Sequence, residues 1–111
     1  MRPYVPKKGD FIAVTFDPQS GHEQSGRRPA LVVSNTEFNE HTGLAIVCPL
    51  TSKERKFPFH VAVLNQIGVA GFVMVEQVKS IDYRARKAHH IGKASESLLD
   101  EVLSILDACI Y

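Results

Sequence analysis

Two stretches of this chain concentrate the side chains that hold or move charge. The first, Asp17 to Arg28, is almost wholly polar and offers His22, Glu23, Gln24, Arg27 and Arg28. Its length and polarity mark it as functional, because long structureless loops are uncommon in small domains. The second is Thr51-Ser52-Lys53-Glu54-Arg55-Lys56-Phe57, rich in cations and hydroxyls. Together they suit cleavage of an RNA phosphodiester without a metal. A base takes the proton of a 2′-hydroxyl, which attacks the adjacent phosphorus; donors hold the extra charge on the phosphorane; an acid protonates the departing 5′ oxygen. Arginine suits the middle task, since its planar fork grips two phosphate oxygens and stays charged. A hydroxyl can donate to a third oxygen. If the strand starting at Pro29 and the strand ending at Leu50 are antiparallel neighbours, both stretches lie at one end of a sheet and Arg28 meets Thr51. An isolated Arg-Arg pair, by itself, is more often a solvated surface feature.

Other chemistries find less support. The histidines at 22, 41, 60, 89 and 90 form no zinc-like pairs. His89 and His90 fall in an expected strand and would point to opposite faces. Neither a phosphate-cradling glycine motif nor Gly-x-Ser-x-Gly is present. Cys48 and Cys109 both sit in apolar context and read as buried thiols.

The 111 residues fit one domain, 1–111, with one modest core. A hydrophobic fraction of 44% and a charged fraction of 23% argue against disorder. No apolar run approaches the roughly 20 residues of a membrane helix, and the start, Met1 to Lys8, has no apolar signal core. A cytoplasmic protein is the expectation. All 13 basic residues precede Ala94, whereas the 12 acids divide into eight before it and four after. A basic body with an acidic tail is compatible with a polyanionic partner.

The elements that must position these groups are short strands and one helix. Asp10–Phe16 alternates, with Ile12, Val14 and Phe16 on one face. Pro29–Ser34 and Leu44–Leu50 are continuous apolar strands, and Phe59–Val63 and Gly71–Val75 follow. A last strand is expected between Gln77 and Ile91. Many short strands at this spacing suggest a small barrel or sandwich. From Leu98 to Ile110 apolar residues recur at helical spacing with acids between them. Ser95 is the expected N-cap, with Glu96 in the first turn. This helix is expected to pack on the sheet.

Three separated motifs, together spanning most of the chain, resemble the MazF/PemK toxin family. The first is Gly9-Asp10 … Phe16-Asp17-Pro18 … Gly21-His22-Glu23-Gln24-Ser25-Gly26-Arg27-Arg28-Pro29-Ala30-Leu31-Val32-Val33-Ser34. The second is Cys48-Pro49-Leu50-Thr51-Ser52. The third is Glu76-Gln77-Val78-Lys79-Ser80-Ile81-Asp82-Tyr83-Arg84-Ala85-Arg86. The resemblance implies a mainly β fold with a C-terminal helix, a small SH3-like barrel, acting as a homodimer. It implies the toxin of a type II toxin–antitoxin system, bound by a MazE-type antitoxin. Its activity would be sequence-selective, metal-independent cleavage of single-stranded RNA, mostly mRNA, without a cofactor, leaving 2′,3′-cyclic phosphate and 5′-hydroxyl ends.

Carried onto this sequence, the resemblance singles out Arg28 over Arg27 as charge stabiliser and acid/base. Thr51 becomes its hydroxyl partner and Glu23 the candidate base, with neighbouring His22 as the alternative proton carrier. His22 itself, Gln24, Ser52, Lys56, Gln77 and Lys79 become substrate contacts. Some family members carry an acid where Thr15 stands. Two other readings share the fold. One is a barrel that poisons DNA gyrase in the CcdB manner, which relies on a C-terminal Trp that this chain lacks. The other is an RNA-binding barrel without catalysis, stacking bases on Phe16, Phe57 or Tyr83.

Overall fold

A computed structural model describes residues 3–16, 26–66 and 69–111. The strands are β1 (Asp10–Phe16), β2 (Gly26–Val32), β3 (Leu44–Thr51), β4 (His60–Gln66), β5 (Val69–Met74), β6 (Lys79–Asp82) and β7 (His89–Lys93). Helix α1 is Thr36–Thr42 and α2 is Glu96–Ile110. The seven strands are antiparallel and ordered β4-β5-β3-β2-β1-β7, with β6 on β3. One edge of β3 pairs with β2; the other pairs with β6 through Leu44–Val47 and with β5 through Leu50 and Thr51.

The sheet curls because its two faces serve two cores. Ile12, Val14, Phe16, Ala30, Val32, Ala45, Val47, Ile81 and Tyr83 form one buried cluster. The alternate residues, among them Phe11, Leu31, Cys48 and Leu50, form the second with β4, β5 and α2. The expected face of Ile12, Val14 and Phe16 is therefore present, and Phe11 on the other face is equally buried. Strands buried on both sides explain the unbroken apolar runs in β2 and β3. The edge strands β6 and β7 are joined by residues 83–88, which also close the curl onto β1. There the Thr15 amide donates to the Arg86 carbonyl (3.1 Å), and the Arg86 guanidinium donates back to the Thr15 carbonyl (3.1 Å). The result is a small barrel of the expected kind. Tyr4 and Val5 pack against its inner cluster. Tyr4 donates its hydroxyl to Asp10 at 2.6 Å, and its acidity is weakened first by burial and then by that carboxylate.

Helix α2 begins as expected. The Ser95 hydroxyl accepts from the Leu98 amide at 3.2 Å, a cap worth about 1 kcal/mol. Leu98 and Val102 are buried in the outer cluster, with Leu99, Leu103, Ile105 and Leu106 packed around them. No helix among the described residues is long and apolar enough to cross a membrane.

Four expectations need correction. Strand β2 begins at Gly26 rather than Pro29, because β1 keeps pairing with it through Val14↔Arg28, Thr15↔Arg27 and Phe16↔Gly26. Arg27 and Arg28 are thus strand residues, not loop residues. The single strand expected between Gln77 and Ile91 is two, β6 and β7, divided by turns at 83–87 held by bonds such as Ala88 N–H to the Tyr83 carbonyl at 2.9 Å. Cys109 is exposed, because it lies in the last turn of α2 past the packed residues; Cys48 is buried as expected. Helix α1 was not expected, since Thr-Glu-Phe-Asn-Glu-His-Thr has no apolar period and buries only Asn39.

That asparagine is a polar hub. Its amide donates to the Pro6 carbonyl (2.8 Å), its side-chain oxygen accepts from Ser34, and its carbonyl accepts from the Tyr83 hydroxyl (2.8 Å). Ser34 in turn accepts from the Ile46 amide at 2.8 Å. Removing it orphans several buried groups at once. Asn39→Ala should therefore lower unfolding free energy by about 2–3 kcal/mol. Urea denaturation followed by circular dichroism measures this, and a loss within error of zero would refute the hub.

Candidate active site

Side chains alternate along a strand, so phase alone assigns the charged residues to faces. Arg28 is in phase with the inward Ala30 and Val32, Thr51 with Ala45 and Val47, and Lys79 with Ile81. The recorded β2–β3 pairs are Ala30↔Pro49, Leu31↔Cys48 and Val32↔Val47. Continuing that register by two residues sets Arg28 across from Thr51. The Lys79 ammonium lies 5.4 Å from the centroid of the Phe16 ring, tying the start of β6 to the end of β1. The inner face is thus apolar through the barrel. It turns polar at the end where β1 and β3 finish and β2 and β6 begin. Arg28, Thr51 and Lys79 all carry the inward phase on that side of the barrel.

Arg27, one residue out of phase, works on the outer surface. Its guanidinium donates to the Thr15 hydroxyl (3.1 Å), the Lys87 carbonyl (2.7 Å) and His89 Nδ1 (2.8 Å), with longer bonds to the Ala13 and Arg86 carbonyls (both 3.4 Å). Because Arg only donates, His89 accepts at Nδ1 and carries its proton on Nε2. Arg27 therefore laces β1 to β7 and the 83–88 turns. A carboxylate at position 15 would meet Arg27 on this outer face, away from Arg28.

Thr51 is buried and paired on β5 with Phe72. Its hydroxyl oxygen accepts from the Lys53 amide at 3.2 Å, which fixes the rotor and leaves the hydroxyl proton to be donated. The backbone beside it is held by Gly71. A Cβ at residue 71 would lie 2.5 Å from the Thr51 carbonyl oxygen, and Gly71 has φ +122°. Only glycine lets the two chains approach so closely. Beyond Thr51, Ser52 and Lys56 are exposed, and Lys56 adopts φ +48°. Gln77 ends a 3-10 turn, Val75–Gln77. This turn absorbs a surplus: from Leu50↔Val73 to Val47↔Lys79 the facing chain advances twice as many residues as β3.

His22, Glu23 and Gln24 lie outside the described residues. Of the candidate stacking aromatics, Phe16 and Tyr83 are buried at 2% exposure, whereas Phe57 is 42% exposed. His89 and His90 diverge, His90 lying 3.6 Å from Asp10 while His89 binds Arg27. Among the described residues no three His, Cys, Asp or Glu side chains cluster as metal ligands do.

Against known proteins, residues 7–110 match the family of PemK-like, MazF-like toxins of type II toxin–antitoxin systems. The chain belongs to this family. It is similar to the endoribonuclease toxin MazF of Escherichia coli K12, with 38% identity covering 96% of each chain. It is also similar to the endoribonuclease toxin ChpB of the same strain, with 41% identity over 94% of this chain and 93% of that one. Among solved structures, MazF from Deinococcus radiodurans superposes with TM-score 0.93 at 41% identity, covering 97% of this chain and 98% of that one. A Deinococcus MazE-MazF complex superposes at 0.87, with 41% identity and 97% of each chain covered.

Reasoning from sequence alone did not single out Gly71, Arg27 as a brace, or the Lys79–Phe16 contact. A lone glycine in an apolar run signals close backbone approach, and that was the available sign for Gly71. The other two depend on partners far away in the chain.

Burial pushes the Cys48 thiol up to about 12, with the charges of Glu76 and then Cys109 adding to it. Since the thiolate is the reactive form, Cys48 is a poor nucleophile at neutral pH. Iodoacetamide on the native protein should alkylate exposed Cys109 and spare Cys48 until denaturant is added. Peptide mass spectrometry reads this, and equal labelling of both in the folded protein would contradict it.

Proposed function

We propose that this chain is the toxin of a type II toxin–antitoxin pair and cuts single-stranded RNA at the barrel mouth. One observation carries the reading. Arg28, Thr51 and Lys79 share the inward phase of a barrel whose relatives at 38–41% identity are endoribonuclease toxins. The gyrase-binding and non-catalytic readings have no comparable support.

In this mechanism a base on the Asp17–Ser25 segment, Glu23 with His22 beside it, takes the proton from a 2′-hydroxyl. The oxygen attacks phosphorus in line with the 5′ oxygen. Arg28 grips two phosphorane oxygens and passes a proton to the leaving 5′ oxygen, the proton taken up by the base returning to it so that the guanidinium charge is restored. The Thr51 hydroxyl donates to the remaining oxygen. Atoms balance with a 2′,3′-cyclic phosphate and a 5′-hydroxyl, and no metal takes part. Lys79, Lys56, Ser52, Gln77 and Gln24 hold the flanking strand, the lysines by charge and the rest by hydrogen bonds. The target is mostly mRNA in the cytoplasm, so cutting stops translation and growth. The working form is a homodimer, restrained by a cognate antitoxin of the MazE type; the Deinococcus MazF structures include such complexes.

Arg28→Ala should lower cleavage of a long single-stranded RNA by about a thousandfold or more with little change in melting temperature. Full-length RNA cut at the parent rate by that variant would remove Arg28 from the site. Cutting should persist in excess EDTA; strict dependence on added magnesium would overturn the metal-free route. Sequencing the new 5′ ends on a defined transcript tests the activity and its site selectivity in one digest. Gly71→Ala, by displacing Thr51, should cut kcat by about a hundredfold and leave RNA binding largely intact. An unaltered kcat would show that Thr51 is not held by this contact.

A further inference from the structure

His60 is the first residue of β4, at the far end of the cationic segment that leaves Thr51. Its side chain is 4% exposed, yet it is polar, and among the described residues it has one hydrogen-bond partner: Nε2 lies 3.0 Å from Glu76 Oε2. Its other ring nitrogen is buried with no hydrogen-bond partner among the described residues. Glu76 is the middle residue of the 3-10 turn that ends at Gln77. A second tie runs parallel to this one, from the Val75 amide to the Phe59 carbonyl at 3.0 Å. The imidazole also supports the segment before it. The Phe57 ring meets His60 edge-on at 5.2 Å and Phe59 at 5.3 Å, and the His60 amide donates to the Phe57 carbonyl at 2.9 Å. Lys56, with its left-handed backbone, leads directly into that turn. A buried polar ring with half its hydrogen-bonding capacity unmet costs stability compared with an apolar residue of the same shape. Core packing therefore does not account for a histidine here, whereas a directional link to Glu76 does.

We infer that His60, clamped by Glu76, is a positioning residue for RNA binding. It docks the segment bearing Lys53, Arg55, Lys56 and half-exposed Phe57 onto the 3-10 turn bearing Gln77, so that cations, an aromatic face and an amide meet the strand as one preformed surface. The inference rests on the RNA-cleaving reading above. Holding the segment in place removes an ordering cost from binding and leaves the chemical step at Arg28 and Thr51 alone.

The test uses three variants in the full chain. His60→Phe keeps the ring packing and loses the link, His60→Gln keeps a donor toward Glu76, and Glu76→Ala loses the acceptor. On a fluorogenic single-stranded oligoribonucleotide, His60→Phe and Glu76→Ala should each raise KM by about tenfold, the value of one charge-assisted hydrogen bond, with kcat within about twofold. The double variant should be no worse than either single one, and His60→Gln should recover most of the affinity. Hydrogen exchange at the His60 amide should quicken in both link-breaking variants while amides in the middle of α2 stay as protected as in the parent. An unchanged KM in the link-breaking variants overturns the inference, as does unchanged exchange or a loss confined to kcat. If the parent protein does not cut RNA, the functional reading fails separately, and the exchange data still decide whether the clamp exists. Should His60→Phe fail to fold, Glu76→Ala carries the test, since its side chain is 31% exposed.

Discussion

Where β2 crosses β3, Leu31 and Cys48 face one core while Ala30, Val32 and Val47 face the other. This antiparallel register fixes much more than two strands. A slip by one residue would exchange the faces of β2, sending Leu31 into the narrow barrel and Ala30 under α2. It would also carry Arg28 away from Thr51, because both are set by the same alternation that sets the cores. The site has no scaffold of its own. It is the last polar step of a pattern whose earlier steps are Val32, Ala30, Ala45 and Val47, and packing of those residues keeps Arg28 and Thr51 in the inward phase.

Much of this was legible in the residues. Alternation in Asp10–Phe16 and unbroken apolar runs in β2 and β3 disclosed the strands, and Ser95 with Glu96 marked the start of α2. A plain antiparallel guess was enough to bring Arg28 toward Thr51. The remainder was hidden for identifiable reasons. Helix α1 is polar throughout and is held by Asn39 in a network reaching Pro6 and Tyr83, so no local period announced it. Its boundaries were nonetheless written in Asn35 and the left-handed Gly43. The break between β6 and β7 depends on turns closed through Tyr83 and Ala88, a pairing that no Gly or Pro announces in the sequence. Arg27 and Arg28 are adjacent in sequence and opposite in role, because one residue of phase separates an outer brace from an inner rim.

Charge is divided along the same architecture. The four acids of α2 ride a helix whose apolar side is covered by the outer core, while the body that carries the mouth holds every lysine and arginine. On the proposed function, this division of charge would steer a polyanion toward the basic body and away from the helix.

The contact between Gly71 and the Thr51 carbonyl has a consequence in genetics. Every missense change one base away from a glycine codon introduces a Cβ, and at position 71 that atom would stand 2.5 Å from a backbone oxygen. A lineage escaping its own toxin by chance mutation therefore has a wide target in a residue without functional groups. On the proposed function, screens for inactive alleles would recover this glycine alongside Arg28, and its place on such a map would trace the backbone beside Thr51 rather than the chemistry itself.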